Sequence, residues 1–528
     1  MEEQMKNRGL LIVGLLVAML FAALDGTIVG TAMPRIVGEL GGLGVMTWLT
    51  TAYMLTSTTV VPIAGKLADM VGRKSVYVTG LVIFMIGSVL CGMAQTMNQL
   101  IFFRALQGIG GGIMMPMAMI IIGDLFTGEQ RAKWQGVFGA IFGLSSIVGP
   151  QVGGWIVDSL DWRWVFYINL PVGIIATVLI SIALKSYKAT GPVKIDIWGM
   201  FTMIAGVVSL LLGLTFGGKD YAWGSWQILS LFAAAVVFLT SFILIESRVS
   251  EPILPLRLFK NKSFSLLSGI GFLMSVGMFG AIMFVPLFMQ GVVGISASES
   301  GTVMIPMMLS MMLTSIFGGR LVHKLGMRTQ MLIGMIAMSV GFWLLSGMGI
   351  DTTKLSAMSY MVVLGLGMGL VMPLITIALQ ESFPKSELGV VTSSSQFFRQ
   401  IGGTFGMTIL GAVMNVQSSG LLNAKLVPYL EKLPEQSHDM VQKMESMIAT
   451  NPQSLYSMMY SPETLAQIPA AIRETLLPIL KSSMVESLHH VFLYGMVFVL
   501  IGVVCTFFLG KITISKPVKA DDTPQVDA

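Results

Sequence analysis

Gly65-Lys66-Leu67-Ala68-Asp69-Met70-Val71-Gly72-Arg73-Lys74 and Gly319-Arg320-Leu321-Val322-His323-Lys324-Leu325-Gly326-Met327-Arg328 align without a gap, 254 residues apart. Each segment follows one apolar run and precedes another. The same offset carries the apolar run 10–31 onto 264–285. A match in both the turn and the run preceding it marks an internal duplication, and repetition of this kind decides the fold before any local reading does. Two parallel six-run halves are predicted, with the runs 195–216 and 226–246 inserted between them.

The runs belong in lipid. Of the 528 residues, 54% are hydrophobic and 11% charged, against roughly 25% charged in a soluble protein. Runs of about 20 apolar residues match the ~30 Å hydrocarbon core of a bilayer when coiled as helices. Fourteen are predicted: 10–31, 47–66, 75–95, 100–122, 134–157, 164–184, 195–216, 226–246, 264–289, 300–319, 328–349, 356–379, 396–416 and 491–511. The short alternating segments of a membrane β-barrel are missing from the sequence. The first run is too long for a secretion signal and has no small-residue cleavage site behind it. It reads as a retained helix. The organisation expected is a first half over 1–188, an insertion over 189–262, a second half over 263–511 and a polar tail over 512–528.

Charge sets the orientation. With the N-terminus inside, 22 Lys/Arg fall on the inner side and 9 outside, the run-end residues Lys66, Arg328, Arg399 and Lys511 being counted inside and Arg104 alone kept within a run. Five of the nine lie in the long segment 417–490, where the positive-inside bias loses force, so the short loops divide 22 to 4. Both termini are expected in the cytoplasm. Segment 417–490 reads as an extracellular helical hairpin broken at Asn451-Pro452 and Ser461-Pro462. A net charge of +5 without a basic run gives no reason to expect nucleic acid as a partner. Cys91 and Cys505 both lie in apolar runs, so no disulfide framework is implied. Adjacent His489 and His490 point in different directions on a helix, and no metal site is expected. Zinc-ligand spacings, nucleophile elbows and phosphate loops are missing too, which argues against an enzyme and against a nucleotide-driven pump.

The motifs carry a resemblance. The 65–74 turn fits Gly-x-Leu-Ala-Asp-Arg-x-Gly-Arg-Lys with Met70 in place of the first Arg. The fourth run holds Arg104-Ala105-Leu106-Gln107-Gly108-Ile109-Gly110-Gly111-Gly112, the fifth Gly149-Pro150-x-x-Gly153-Gly154, and the first Leu24-Asp25-Gly26-Thr27-Ile28-Val29. Over nearly its whole length the chain resembles the fourteen-span drug:proton antiporters of the major facilitator superfamily, although Gly30 stands where that group usually has Asn. The resemblance implies an all-α, multi-pass protein of the bacterial cytoplasmic membrane. Such a protein exchanges protons for amphiphilic small molecules by alternating access, without a cofactor and commonly as a monomer. A dedicated exporter of one metabolite, or a proton symporter for uptake, is the alternative.

Particular residues then acquire expected roles. Asp25 is the clear carboxylate within the bilayer, and Arg104 lies at similar depth with Gln107 one turn on. Buried charges in lipid face a partner or a cavity, so Asp25 and Arg104 are expected to pair and to couple transport to protons. Together with Gln107, Met114 and Met115 they are expected to border the substrate cavity. Methionine, 43 times present, suits a surface accepting many shapes, though it also serves as lipid-facing filler. At the inner gate, Gly65 and Gly72 are expected to allow a tight turn, Asp69 to accept hydrogen bonds from a helix start near Ser393–Ser395, and Arg73 to pair with Asp124. Gly139, Gly143, Ser146, Pro150 and Gly153 follow helical spacing and form a smooth stripe for close helix packing. The tryptophans of Trp162-Arg163-Trp164 read as anchors at the outer interface.

Overall fold

The computed structural model describes residues 8–41, 45–126, 128–185, 195–218, 220–431, 438–450, 452, 455–456 and 470–510. Long helices dominate: α1 (Arg8–Leu40), α2 (Thr47–Val71), α3 (Arg73–Met93), α4 (Met97–Leu125), α5 (Gly128–Ser159) and α6 (Asn169–Ala183, entered by the short turn Trp164–Tyr167). Next come α7 (Ile197–Phe216) and α8 (Trp226–Glu246). The last six are α9 (Lys262–Phe288), α10 (Ile305–Leu325), α11 (Met327–Ser346), α12 (Lys354–Ser382), α13 (Leu388–Lys425) and α14 (Ala470–Phe507). Among the described residues, twelve helical stretches are long and apolar enough to cross a membrane. Helices α2 and α5 fall outside those twelve. In α2 the threonines lower the hydropathy, but Thr56 and Thr59 return their hydroxyls to carbonyls of the preceding turn at 2.8–3.2 Å, which meets their hydrogen-bonding need without water.

Each half builds its own core. Most buried apolar residues from Leu11 to Ile180 form two clusters in the first half and most from Leu258 to Leu509 form one in the second, while a fourth joins Leu55, Val61 and Ile63 of α2 and Phe397 of α13 to the inserted helices. The packing repeats with the sequence: α4 lies between α2 and α3, and α12 between α10 and α11; α1 packs on α5 and α6, and α9 on α13 and α14. Glycines make the α4 and α12 contacts close. A Cβ at Gly110 would meet the α3 backbone at Phe84, and one at Gly367 would meet α11 at Gly334 and Met338. Between the halves, α5 packs on α10 and α13 on α2, as a two-fold relation requires. The inserted pair breaks that symmetry, because α7 contacts both α2 and α13. Its partner α8 leaves Val236 and Val237 exposed, as a lipid-facing helix should.

Several helices overrun the expected runs. The first continues past Pro34 to Leu40; α13 begins at Leu388 rather than 396; α14 begins by Ala470 rather than 491. Within 417–490, the ends of α13 and α14 lie side by side, tied by Ser418–Ser487 (3.1 Å) and Lys425–Glu486 (2.5 Å), with helix His438–Thr450 held to Ser419 through Ile448. Residues 457–469, including Ser461-Pro462, and the tail 512–528 lie outside the described residues. Arg399, which the charge count assigned to the inner side, sits inside α13 at 5% exposure. Trp162 is also internal: it is 1% exposed and donates to Glu39 at 3.0 Å, while Trp164 stays exposed.

Candidate functional site

Asp25 lies half-way along α1, and its side chain is 0% exposed. Arg104 Nη1 donates to its Oδ2 at 2.6 Å. Gln107 Nε2 (2.9 Å) and Asn169 Nδ2 (2.8 Å) both donate to Oδ1. Ser88 accepts from the same two amides at 2.7 and 3.1 Å, and Gln107 Oε1 accepts from Arg104 at 2.7 Å. The Tyr53 ring covers the guanidinium at 4.3 Å. A buried ion pair is tolerated when further hydrogen bonds satisfy the remaining polar atoms, and here nearly all are satisfied; Arg104 Nε is left over.

The cluster draws on α1, α2, α3, α4 and α6, all of the first half. In this conformation Asp25, Arg104 and Gln107 therefore line the inside of that half, not the seam where the halves meet. Ser88 and Asn169, bonded to one another and to Gln107 or Asp25, hold these polar groups in place. Met114 is 1% exposed in the first-half core. Met115 reaches the seam, its Sδ 3.4 Å from Gln396 Nε2 of α13. Asn169 sits in a stretch read as interfacial; an amide inside an apolar helix was the available signal. Ser88 and Tyr53 gave none.

At the end of the bundle holding the 65–74 turn, the halves are locked. Gly72 takes φ 95° and ψ 149°, and Gly326 takes φ 77° and ψ 155°, a region open essentially to glycine alone. One residue thereby ends α2 and starts α3. Asp69 accepts from Gly389 N (3.0 Å) and Val390 N (2.8 Å), the first turn of α13, where the helix dipole favours an anion. That lies upstream of the expected Ser393–Ser395, because α13 starts earlier than its apolar run. Ser393 instead packs on Gly65, where a Cβ would run into its hydroxyl and into Gly389 O at 2.5 Å. Arg73 bonds Asp124 Oδ2 (3.1 Å), Ala68 O (2.8 Å) and Lys385 O (3.4 Å) and lies 2.8 Å from Asp69 Oδ1. Across the other seam, Arg131 of α5 pairs with Glu381 of α12 at 2.9 Å. Among the described residues, the hydrogen bonds crossing between the halves gather towards this end.

Two predictions follow from this lock. Gly65→Leu is expected to hold the halves apart, since close helix approach here requires the smallest side chain. Labelling of a cysteine placed in the seam, in a cysteine-free background, should rise several-fold; unchanged labelling would mean that α13 shifts freely. The second concerns pH. Asp69 lies beyond the apolar run 47–66, and burial pushes its carboxyl up to about 6 against the opposing effects of Arg73 and the two backbone amides. Parting the halves re-exposes it and returns it towards the ordinary value near 4. The closed form thus binds the proton more tightly, so acidification through pH 6 favours closure. Seam labelling should fall between pH 7 and pH 5, and Asp69→Asn should flatten that slope. An equal slope in both proteins would assign the dependence to other groups.

On α5, a Cβ at Gly149 would meet Thr27 of α1, and one at Gly153 would meet Thr31 and Ile28; Gly154 faces open space and Pro150 is exposed. Only Gly149 and Gly153 of that motif serve the α1 contact, where Thr27 also bonds Ser145 O at 3.1 Å. Gly139, Gly143 and Ser146 are described only as part of the α5 helix.

The family profile of the Major Facilitator Superfamily matches residues 15–407. The chain belongs to that superfamily. It is 64% identical over 521 residues to the "Multidrug transporter protein MdtP" of Bacillus subtilis (strain 168), covering 99% of this chain and 96% of the relative. It is 38% identical over 504 residues to "Multidrug resistance protein 3" of the same organism, covering 95% and 94%. The solved structure of the human organic anion transporter MFSD10 (TETRAN) matches 93% of this chain and 99% of its own, with TM-score 0.56 and 11% identity. That likeness speaks to the fold alone.

Proposed function

We propose that this protein is a fourteen-span multidrug exporter of the bacterial cytoplasmic membrane, driven by proton exchange and working as a monomer with both termini in the cytoplasm. The observation that carries the reading is the 64% identity, nearly end to end, to a protein named as a multidrug transporter. The halves 1–188 and 263–511 rock about the seams α2–α13 and α5–α10, with 189–262 as an insertion. On the positive-inside orientation, the locked end is cytoplasmic, so the state described is closed to the cytoplasm. Asp69, Arg73 and Asp124, with Gly65 and Gly72, form the inner gate. Asp25 takes up and releases the driving proton, and Arg104 and Gln107 sense its charge and reset the packing of α1 against α4. Met115 belongs to the seam that receives amphiphilic substrate; Gly149 and Gly153 keep α1 and α5 in close register.

Membrane vesicles acidified inside test the reading. Addition of ethidium should release protons from the vesicle, with an uncoupler abolishing the response. Alkalinisation of the medium coupled to uptake would identify a symporter instead, and a response to one metabolite but no dye would identify a dedicated exporter.

A further inference from the structure

Arg399 is a second buried arginine, and it differs from the first in its charged partners. It lies eleven residues into α13, about 16 Å along the helix at ~1.5 Å per residue, and is 5% exposed. Gly271 of α9 makes room for it: a Cβ there would touch the Arg399 Cγ at 3.0 Å. Among the described residues, the one hydrogen-bond acceptor it meets is Gln396 Oε1, and no carboxylate lies within ion-pair distance. A guanidinium carries five N–H donors and stays charged at any physiological pH. Arg104, by comparison, has Asp25, Gln107 and the Tyr53 ring.

A permanent cation removed from water without a counter-ion is costly, and such a charge in a membrane helix marks a functional site by default. The Gln396 amide beside it spends a donor on the Met115 thioether, 3.4 Å away, which is a weak acceptor. Met115 comes from the other half, so Gln396 lies at the seam with Arg399 bonded to it. A negatively charged oxygen placed there gains a charge-assisted bond from Arg399 and a better acceptor for Gln396.

We propose that Arg399 and Gln396 form a buried anion site at the seam, which takes the carboxylate or sulfonate group of an amphiphilic organic anion as transported substrate. The proposal rests on the export reading and narrows its substrate class. The site is complementary to Asp25: one half holds a fixed positive charge, and the other holds a carboxylate already neutralised by its own arginine.

The test is equilibrium binding of radiolabelled cholate, an organic anion, and of tetraphenylphosphonium, a cation, to the full chain in lipid nanodiscs. The parent protein should bind cholate, and Arg399→Gln should weaken it by about tenfold or more, equivalent to 1.4 kcal/mol, with tetraphenylphosphonium affinity preserved. Arg399→Lys, keeping the charge, should retain more cholate affinity than Arg399→Gln. Where Arg399→Gln does not fold, Gln396→Ala should still weaken cholate selectively. Equal cholate affinity in parent and variant, or equal loss of both ligands, overturns the proposal. So does a parent that binds chloride competitively at this residue but not cholate, since the site then holds only an inorganic ion. Vesicles that fail to export dyes while nanodiscs bind cholate through Arg399 would reject the export reading and leave the anion site standing.

Discussion

Asp25→Asn is expected to abolish gradient-driven export while leaving the protein folded and inserted. The carboxylate accepts from Arg104, Gln107 and Asn169 and is fully enclosed. Asparagine keeps the shape and one acceptor oxygen, and the neighbouring amides of Gln107 and Asn169 can turn to meet its new donor. What it cannot do is gain and lose a proton. Export against a gradient should fall by about 100-fold, the lower range for losing a positioned proton-transfer group, whereas downhill dye exchange through the same vesicles continues. Gradient-dependent accumulation at the parental rate would move the proton to another acid. Glu381 and Asp124 are the next candidates, but each is already held by an arginine, Arg131 and Arg73 respectively.

The architecture was legible because two independent signals agreed: the turn repeated at a fixed offset, and the apolar runs repeated with it. Helix ends were not legible. Hydropathy registers the part of a helix that meets lipid, while the backbone hydrogen bonding that continues a helix into water needs no apolar side chain. Helix α13 therefore extends beyond its run at both ends, to Leu388 and Lys425. That displacement moved the Asp69 contact from the expected serines to Gly389 and Val390, and it places Arg399, near the start of its apolar run, eleven residues inside the helix.

Charges and neutral polar groups differ in the same way. A carboxylate and a guanidinium at similar depth in lipid predict each other, since either alone is expensive. Ser88, Tyr53 and Asn169 carry no such demand, because a hydroxyl or amide in a helix can turn to a backbone carbonyl. Their convergence on Asp25 depends on how α3, α2 and α6 rotate about their axes. Glycines hold part of that information: Gly87 of α3 packs on the backbone of Gln107, and it is this close contact that brings Ser88 beside the Gln107 amide.

Arg104 provides the second large effect. Arg104→Gln leaves Asp25 buried with two amide donors and no positive charge, and breaking a buried pair from one side costs on the order of 3–5 kcal/mol. The glutamine is shorter than arginine and abandons the Tyr53 ring as well, which adds about 1 kcal/mol of lost cation–π contact. Asp25→Asn alone should cost less, since it is Arg104 that remains, already bonded to Gln107 Oε1. In the double variant Asp25→Asn/Arg104→Gln no charge is left in the cluster, and replacing both members of a buried pair is often close to neutral. The double variant should thus be more stable than Arg104→Gln by itself. Unfolding of the four proteins in mixed detergent micelles, read as a double-mutant cycle, measures the coupling, expected at about 2 kcal/mol or more. Strict additivity of the two substitutions would show that Asp25 and Arg104 act independently, and would remove the physical basis for passing a proton's charge from α1 to α4.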